Sequence, residues 1–500
     1  GDRRWKPAEP APVWEGQRLA IDYSPACVQS SWENTETFFY LPAPQMSEDC
    51  LYLNIWAPES LRKNKKYPVM VWIHGGGLIS GVSSSPFYNG MQLAKKGVLV
   101  VSINYRLGVF GFLAHAQLSA ESVNNASGNY GLSDQIEALK WVKKNISSFG
   151  GDPDNVTIFG ESAGAYCVEN LLVSPSSKGM FHKAIVQSGF MPALRELRES
   201  KHGLSPAEQI GQKLFDELNI PLLADLRKLP AGTVQAAADA IGYFPDVVVD
   251  KWLITDQIFA TYEKGSQHDV PLLAGFNSGD GYHFKNYSGW SSKKPKNEKK
   301  YKTMVGARYG LLSSEYLKLY PPSDLREALY APIRDAFFGW AMEKIVREHG
   351  KLESKSYLYY FDQPMSWAES IGMGAFHFSD VFFVLNNIKN FNSMRLPNWP
   401  QYHPTASDIR LGEIMSDYWV SFAKIGSPKI QGGPVWHEYN LTSRAYMKFS
   451  NGDAIPSLDL FPGMFELHEN IVASRRKKGD LSWWTTNIGL LAPLINSDDR

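Results

Sequence analysis

Along the chain, long apolar runs alternate with stretches whose apolar positions recur every three to four residues. "YPVMVWIHGGG" (67–77) and "GVLVVSINYRLG" (97–108) are near-continuous apolar, β-branched runs, the pattern of strands covered on both faces. In "GLSDQIEALKWVKKNISSFG" (131–150), Ile136, Leu139, Val142 and Ile146 recur at helical spacing, which predicts an amphipathic helix. "NVTIFG" (155–160) reads as a strand, Gly164 to about Leu172 as a helix, and "KAIVQSG" (183–189) as another buried strand. Strand, helix, strand, helix in this rhythm predicts an α/β fold with a parallel, doubly wound sheet.

From about 190 to 370 the pattern loosens. A helical stretch, "SPAEQIGQKLFDEL" (205–218), and strands within "DVPLLAGFNSGDG" (269–281) and "KSYLYYF" (355–361) are separated by loops rich in Pro and Gly. With neither an internal repeat nor a low-complexity linker, residues 1–500 read as one domain, a core sheet carrying long insertions. The basic runs "KKPKNEKKYK" (293–302) and "RRKK" (475–478) read as solvated segments. The apolar tail "WWTTNIGLLAPL" (483–494) is too short to span a bilayer and is expected to dock on the core.

The totals narrow the partners. Lys plus Arg is 51 and Asp plus Glu is 51, a formal net charge of zero, so nothing steers the chain to nucleic acid or an anionic membrane surface. No apolar run approaches the length of a transmembrane helix. The 26 Phe, 24 Tyr and 15 Trp imply a large core, or an aromatic-walled pocket. The chain begins at "GDRRWKP", which reads as mid-sequence, and no signal peptide is visible. Cys27 and Cys50 bracket 22 residues in polar contexts. A bridge between them would stabilise by roughly 3 kcal/mol and imply an oxidising compartment. Cys167 falls on a buried helix face, as a small apolar filler. Asn125, Asn145, Asn155, Asn286 and Asn440 carry Asn-x-Ser/Thr, of which Asn155, beside a buried strand, is a poor glycan site.

Chemistry enters at Gly160-Glu161-Ser162-Ala163-Gly164. This is G-x-S-x-G between a strand and a helix, where a strained turn lifts the serine hydroxyl above the sheet and its flanks must lack bulk. "HGGG" (74–77) directly follows a strand, so the amides of Gly76 and Gly77, with that of Ala163, are candidate oxyanion donors. A nucleophilic serine needs a base, and the base an orienting acid. In this architecture the order is Ser, acid, His. His377, in "GMGAFHFSDVFFV", and Asp280, past the end of a strand between two glycines, satisfy it. His403 and His437 remain candidate bases, and Asp250 and Asp269 candidate acids. His115, His182 and His349 lie in helix-like contexts.

The chain resembles the type-B carboxylesterase and cholinesterase family, within the α/β-hydrolase superfamily. The matching segments are "SEDCLYLNIWAP" (47–58), "VMVWIHGGG" (69–77), "VSINYRLGVFGFL" (101–113), "GNYGLSDQIEALKWVKKNISSFGGDPDNVTIFGESAG" (128–164), "IVQSG" (185–189), "PLLAGFNSGDG" (271–281), "GAFHFSD" (374–380) and "YWVSFAKIGSP" (418–428). The resemblance implies an α/β-hydrolase fold: a central, mostly parallel sheet flanked by helices, with long helical insertions that shape the substrate pocket. It makes Ser162 the nucleophile, His377 the base and Asp280 the acid, at a position where the family usually carries Glu. Gly76, Gly77 and Ala163 match the oxyanion-hole amides. Cys27 and Cys50 match a disulfide pair of the family, which implies a secreted or periplasmic protein. Glu161 resembles a carboxylate that supports the site without being one of the triad. The family's N-terminal strands and a "GIPYA"-like stretch are missing before "GDRRWKP".

The expected activity is hydrolysis of small carboxylic esters through an acyl-enzyme, with no metal or cofactor. A lipase-like or cholinesterase-like specificity, or an adhesion relative that has lost the chemistry, are the alternatives. The presence of all three triad residue types argues against the last.

Overall fold

Apolar residues alternate across every central strand. Val71, Val101, Ile158, Val186, Ala274 and Leu358 point to one side of the sheet, and Met70, Trp72, Val100, Phe159, Ile185, Leu273 and Tyr359 to the other. Both sets are buried because helices cover both faces, and each large apolar side chain removed from water contributes about 1.5–3 kcal/mol. The computed structural model describes residues 1–30, 45–59, 65–282, 294–394, 399–477 and 489–495.

Among these residues the strands of the main sheet are β1 (Leu53–Trp56), β2 (Tyr67–Ile73), β3 (Leu99–Ile103), β4 (Gly151–Glu161), β5 (Lys183–Gln187), β6 (Leu272–Asn277), β7 (Ser356–Phe361), β8 (Ala445–Ser450) and β9 (Asp453–Leu458). Their spatial order is β9-β8-β7-β6-β5-β4-β2-β3-β1. Pairing is parallel except at the two margins, β1 with β3 and β8 with β9. Winding reverses between β2 and β4, which are neighbours although β3 lies between them in the chain. Open α/β sheets bind ligands beyond the carboxyl ends of their strands at such a reversal.

On one face lie α1 (Tyr130–Asn145) and α2 (Ala163–Val173). Leu132, Ile136, Leu139 and Val142 of α1 pack there with Val168, Leu171 and Leu172 of α2. Farther along, α3 (Leu325–Ile333) carries Pro332, then widens into a π-helical stretch, Arg334–Trp340, before α4 (Ala341–His349). A proline removes one helical hydrogen bond, and π-helical turns accommodate the lost register. The opposite face is covered by α5 (Ser379–Val384) and α6 (Ala406–Ile425). The latter starts with a Thr405–Asp408 capping box, ends at Gly426 with φ 73°, and buries Leu411, Met415, Trp419 and Phe422.

The elements depart from the sequence expectation in places. β4 begins at Gly151, ahead of Asn155, because Tyr67 already pairs with Gly151 and the register then slips between Tyr67 and Val69. This bulge absorbs the polar "DPDN" segment, and sequon Asn155 sits within β4. Sequon Asn286 lies outside the described residues. The basic run at 293–302 is not one solvated loop: Asn297 caps a helix, Glu298–Tyr309, in which Tyr301 is fully buried among exposed lysines. Lys293 and Lys478 lie outside the described residues, as does the first half of the tail. The rest of the tail docks, with Ala492 buried and Tyr309 OH donating to Gly489 O at 3.0 Å.

Cys27 and Cys50 are joined in a disulfide with Cα atoms 4.9 Å apart. Cys167 is a buried free thiol. No helix among the described residues is long and apolar enough to cross a membrane.

Candidate active site

β4 ends on Glu161, and Ser162 takes φ 57° and ψ −125°. Non-glycine residues held there cost about 1–3 kcal/mol and need surroundings that enforce them. The surroundings are explicit: Ser162 N–H donates to Gln187 O and Tyr166 N–H to Ser162 O, both at 2.9 Å. The flanking glycines are sterically required. A Cβ on Gly164 would stand 2.1 Å from Ile73 O, and one on Gly160 would stand 2.6 Å from the Gly164 carbonyl carbon.

The loop after β2 folds against this turn. A Cβ on Gly75 would lie 2.7 Å from Glu161 O and 3.2 Å from Ser162 Cβ, so only glycine allows the approach. Gly76 and Gly77 both have positive φ, 106° and 65°, and their N–H groups meet no protein acceptor among the described residues. The N–H of Ala163 belongs to the first turn of α2, where a helix leaves its donors without intrahelical partners. His74, the first residue of the loop, is buried and stacks on Tyr105 at 4.5 Å. Burial lowers its pKa to about 4, so it stays neutral.

Asp280 and His377 arrive from β6 and from the loop after β7. His377 Nδ1–H donates to Asp280 Oδ1 at 2.6 Å. Asp280 Oδ2 accepts from Ser188 Oγ at 2.8 Å and from the Asn277 N–H at 2.7 Å. The short Asp side chain folds back onto its own turn in this way. Three residues on from His377, fully buried Asp380 ties the histidine segment to the sheet. It accepts from Asn277 Nδ2 (3.1 Å), Gln187 Nε2 (2.8 Å) and Tyr359 OH (2.9 Å). The Phe338 ring, from the π-helical stretch, lies 5.0 Å from the imidazole. Ser188 and Phe378 also have positive φ, 49° and 80°, so backbone strain gathers where these loops meet.

The Nε2 edge of His377 faces Glu161 Oε1 at 3.2 Å. Burial disfavours a charged imidazole, but the Glu161 and Asp280 carboxylates outweigh it and raise the His377 pKa to about 9. Burial pushes Glu161 up to about 8 against the pull of the neighbouring imidazolium. The two groups therefore titrate as a coupled pair above the ordinary imidazole range.

The other sequence candidates lie elsewhere. His403 and His437 are exposed. Asp250 accepts from the backbone N–H groups of Trp252, Leu253 and Ile254, and Asp269 is exposed and accepts from Ser354 N–H. Sequence reasoning did not single out Asp380, Ser188 or Phe338. The first sits in the quoted "HFSD", where an acid followed by an apolar run signals a buried carboxylate. The other two carry no local signal, since only the fold brings them to the site.

The Carboxylesterase family pattern matches residues 1–459. Among curated relatives, the fumonisin B1 esterase of Sphingopyxis macrogoltabida is 35% identical over 438 residues, covering 86% of this chain and 77% of that protein. The para-nitrobenzyl esterase of Bacillus subtilis is 33% identical over 446 residues, 88% of this chain and 86% of that one. A solved PNB esterase structure superposes with a TM-score of 0.78 at 30% identity, over 93% of this chain and 92% of that one.

Proposed function

From the premise that the chain belongs to the carboxylesterase family and is a carboxylic ester hydrolase acting on small esters, we propose that Ser162 is its nucleophile, His377 its general base and Asp280 the acid that orients the base. The observation that carries this reading is the 2.6 Å hydrogen bond from His377 to Asp280, with the opposite ring edge turned to Glu161, the residue before Ser162.

Ser162 attacks the ester carbonyl as His377 Nε2 takes its proton. The carbonyl oxygen gains negative charge beside the amides of Gly76, Gly77 and Ala163, fixed donors that lower the barrier without reorganising. His377 then hands the proton to the leaving alcohol, and water repeats the cycle on the acyl-enzyme. Asp280 holds the ring with Nδ1 protonated and balances the imidazolium. The helical insertions between about 190 and 370 shape the pocket, and Phe338 supports this by lying over His377. The Cys27–Cys50 bridge supports an oxidising compartment, hence a secreted or periplasmic protein.

The test is covalent labelling with a fluorophosphonate, mapped by mass spectrometry, alongside turnover of a p-nitrophenyl ester. Label on Ser162, and a fall of about 10⁴-fold or more in kcat for Ser162→Ala, are expected. Near-normal turnover by that variant would reject the assignment.

A further inference from the structure

Arg326, on α3, joins the two loops that carry Asp280 and His377. Its Nη2 donates to Tyr282 OH at 2.8 Å and to Gly372 O at 2.7 Å, and its guanidinium stands 5.5 Å from the centre of the Tyr282 ring. Tyr282 is two residues past Asp280 and Gly372 five before His377. Gly372 has φ 68°, and a Cβ there would lie 1.9 Å from Nη2, so glycine is what admits the guanidinium. Tyr282 in turn packs on Tyr330, ring centres 5.2 Å apart. Tyr330 OH accepts from Lys294 Nζ at 2.8 Å, and the same ammonium lies 5.3 Å from its ring centre.

Among the described residues, two cations are thus held by neutral oxygens and aromatic faces. Neither forms an ion pair with a carboxylate among the described residues. The acids close by in the chain are engaged: Glu327 and Asp335 with Arg334, at 3.0 and 2.7 Å, and Asp324 with the Glu327 N–H at 3.0 Å. Arg326 is exposed and Lys294 half-buried, and the Nε and Nη1 groups of Arg326 have no acceptor among the described residues. A guanidinium with an open edge matches a carboxylate in shape and charge, and an ammonium adds a second point of attraction.

We propose that Arg326 and Lys294, on the Tyr282–Tyr330 pair, form an anion subsite that selects esters bearing a free carboxylate away from the scissile bond. The proposal rests on the Ser162–His377–Asp280 assignment and adds a substrate class to it. The carboxylate belongs either to the acyl half or to the alcohol half of the ester, and the experiment separates the two.

Hydrolysis is measured for two matched pairs, monomethyl adipate against methyl hexanoate, and 6-acetoxyhexanoate against hexyl acetate. The quantity read is the ratio of kcat/KM for the acidic ester to that for its neutral partner. Lys294→Gln and Arg326→Gln are each expected to lower this ratio about fivefold, and the double variant about twentyfold, for the pair whose carboxylate reaches the subsite. Arg326→Lys, which keeps the charge, is expected to retain most of the ratio. Lys302→Gln, which removes a lysine paired with Glu298, is expected to leave it unchanged. Rising salt is expected to lower the wild-type ratio, because exposed charges are screened. An unchanged ratio for both pairs in Lys294→Gln and in the double variant overturns the subsite, as does a parallel loss on acidic and neutral esters. Failure of the underlying reading looks different: neutral esters would be hydrolysed undiminished by Ser162→Ala.

Discussion

Glu161 Oε1 lies 3.2 Å from Nε2 of His377, so the ring nitrogen proposed to accept the Ser162 proton faces a buried carboxylate. A base works only when neutral, and the carboxylates hold His377 protonated up to about pH 9. kcat/KM is therefore expected to rise with pH across the alkaline range. Glu161→Gln removes one negative neighbour and destabilises the imidazolium. The rising limb is expected to move to lower pH by about one unit or more. A pH–rate profile on a neutral ester checks this, and an unmoved limb would show that Glu161 has no electrostatic hold on the base.

Asp280 is bound to its own turn as well as to His377. Its second oxygen accepts from Asn277 N–H and Ser188 Oγ, a geometry set for a two-carbon acid. Asp280→Glu, one methylene longer, is expected to push the carboxylate off this seat and lower kcat by about 10²-fold, the scale of an ångström of misplacement. Asp280→Asn is expected to cost more, about 10⁴-fold, by disfavouring the Nδ1-protonated tautomer. Steady-state kinetics with unfolding controls separate these from a loss of fold.

Asp380 gathers donors from β5, β6 and β7, all buried. Asp380→Ala strands those donors, each costing about 1–3 kcal/mol when left unmade. A stability loss of about 3 kcal/mol or more is expected, read as a lower urea midpoint. Asp380→Asn, which keeps an acceptor, is expected to lose less.

What could be read from sequence follows physical redundancy. The central strands were legible because both faces are buried, so their apolar character is continuous, as in Val69–Ile73. The marginal strands were not. Leu53–Trp56 is half-buried throughout, Asp453–Leu458 contains Pro456, and Tyr446 and Lys448 dilute Ala445–Ser450. Ser162 and the glycine loop announced themselves because sterics forbid other spellings at Gly160, Gly164 and Gly75. His377 and Asp280 left rivals open at first, since nothing local separates a histidine that meets an acid from an exposed one such as His403. The Arg326–Tyr282–Lys294 arrangement draws on three distant segments, and no window of sequence holds it.

The Asp280–His377 hydrogen bond spans 97 positions of chain, and the segment bearing His377 is moored to three strands through Asp380. A nascent chain therefore carries Ser162 long before it carries His377, the proposed base. On the proposed assignment, turnover is expected only once the later strands have joined the sheet, which would make the first detectable hydrolysis a clock for the completion of folding.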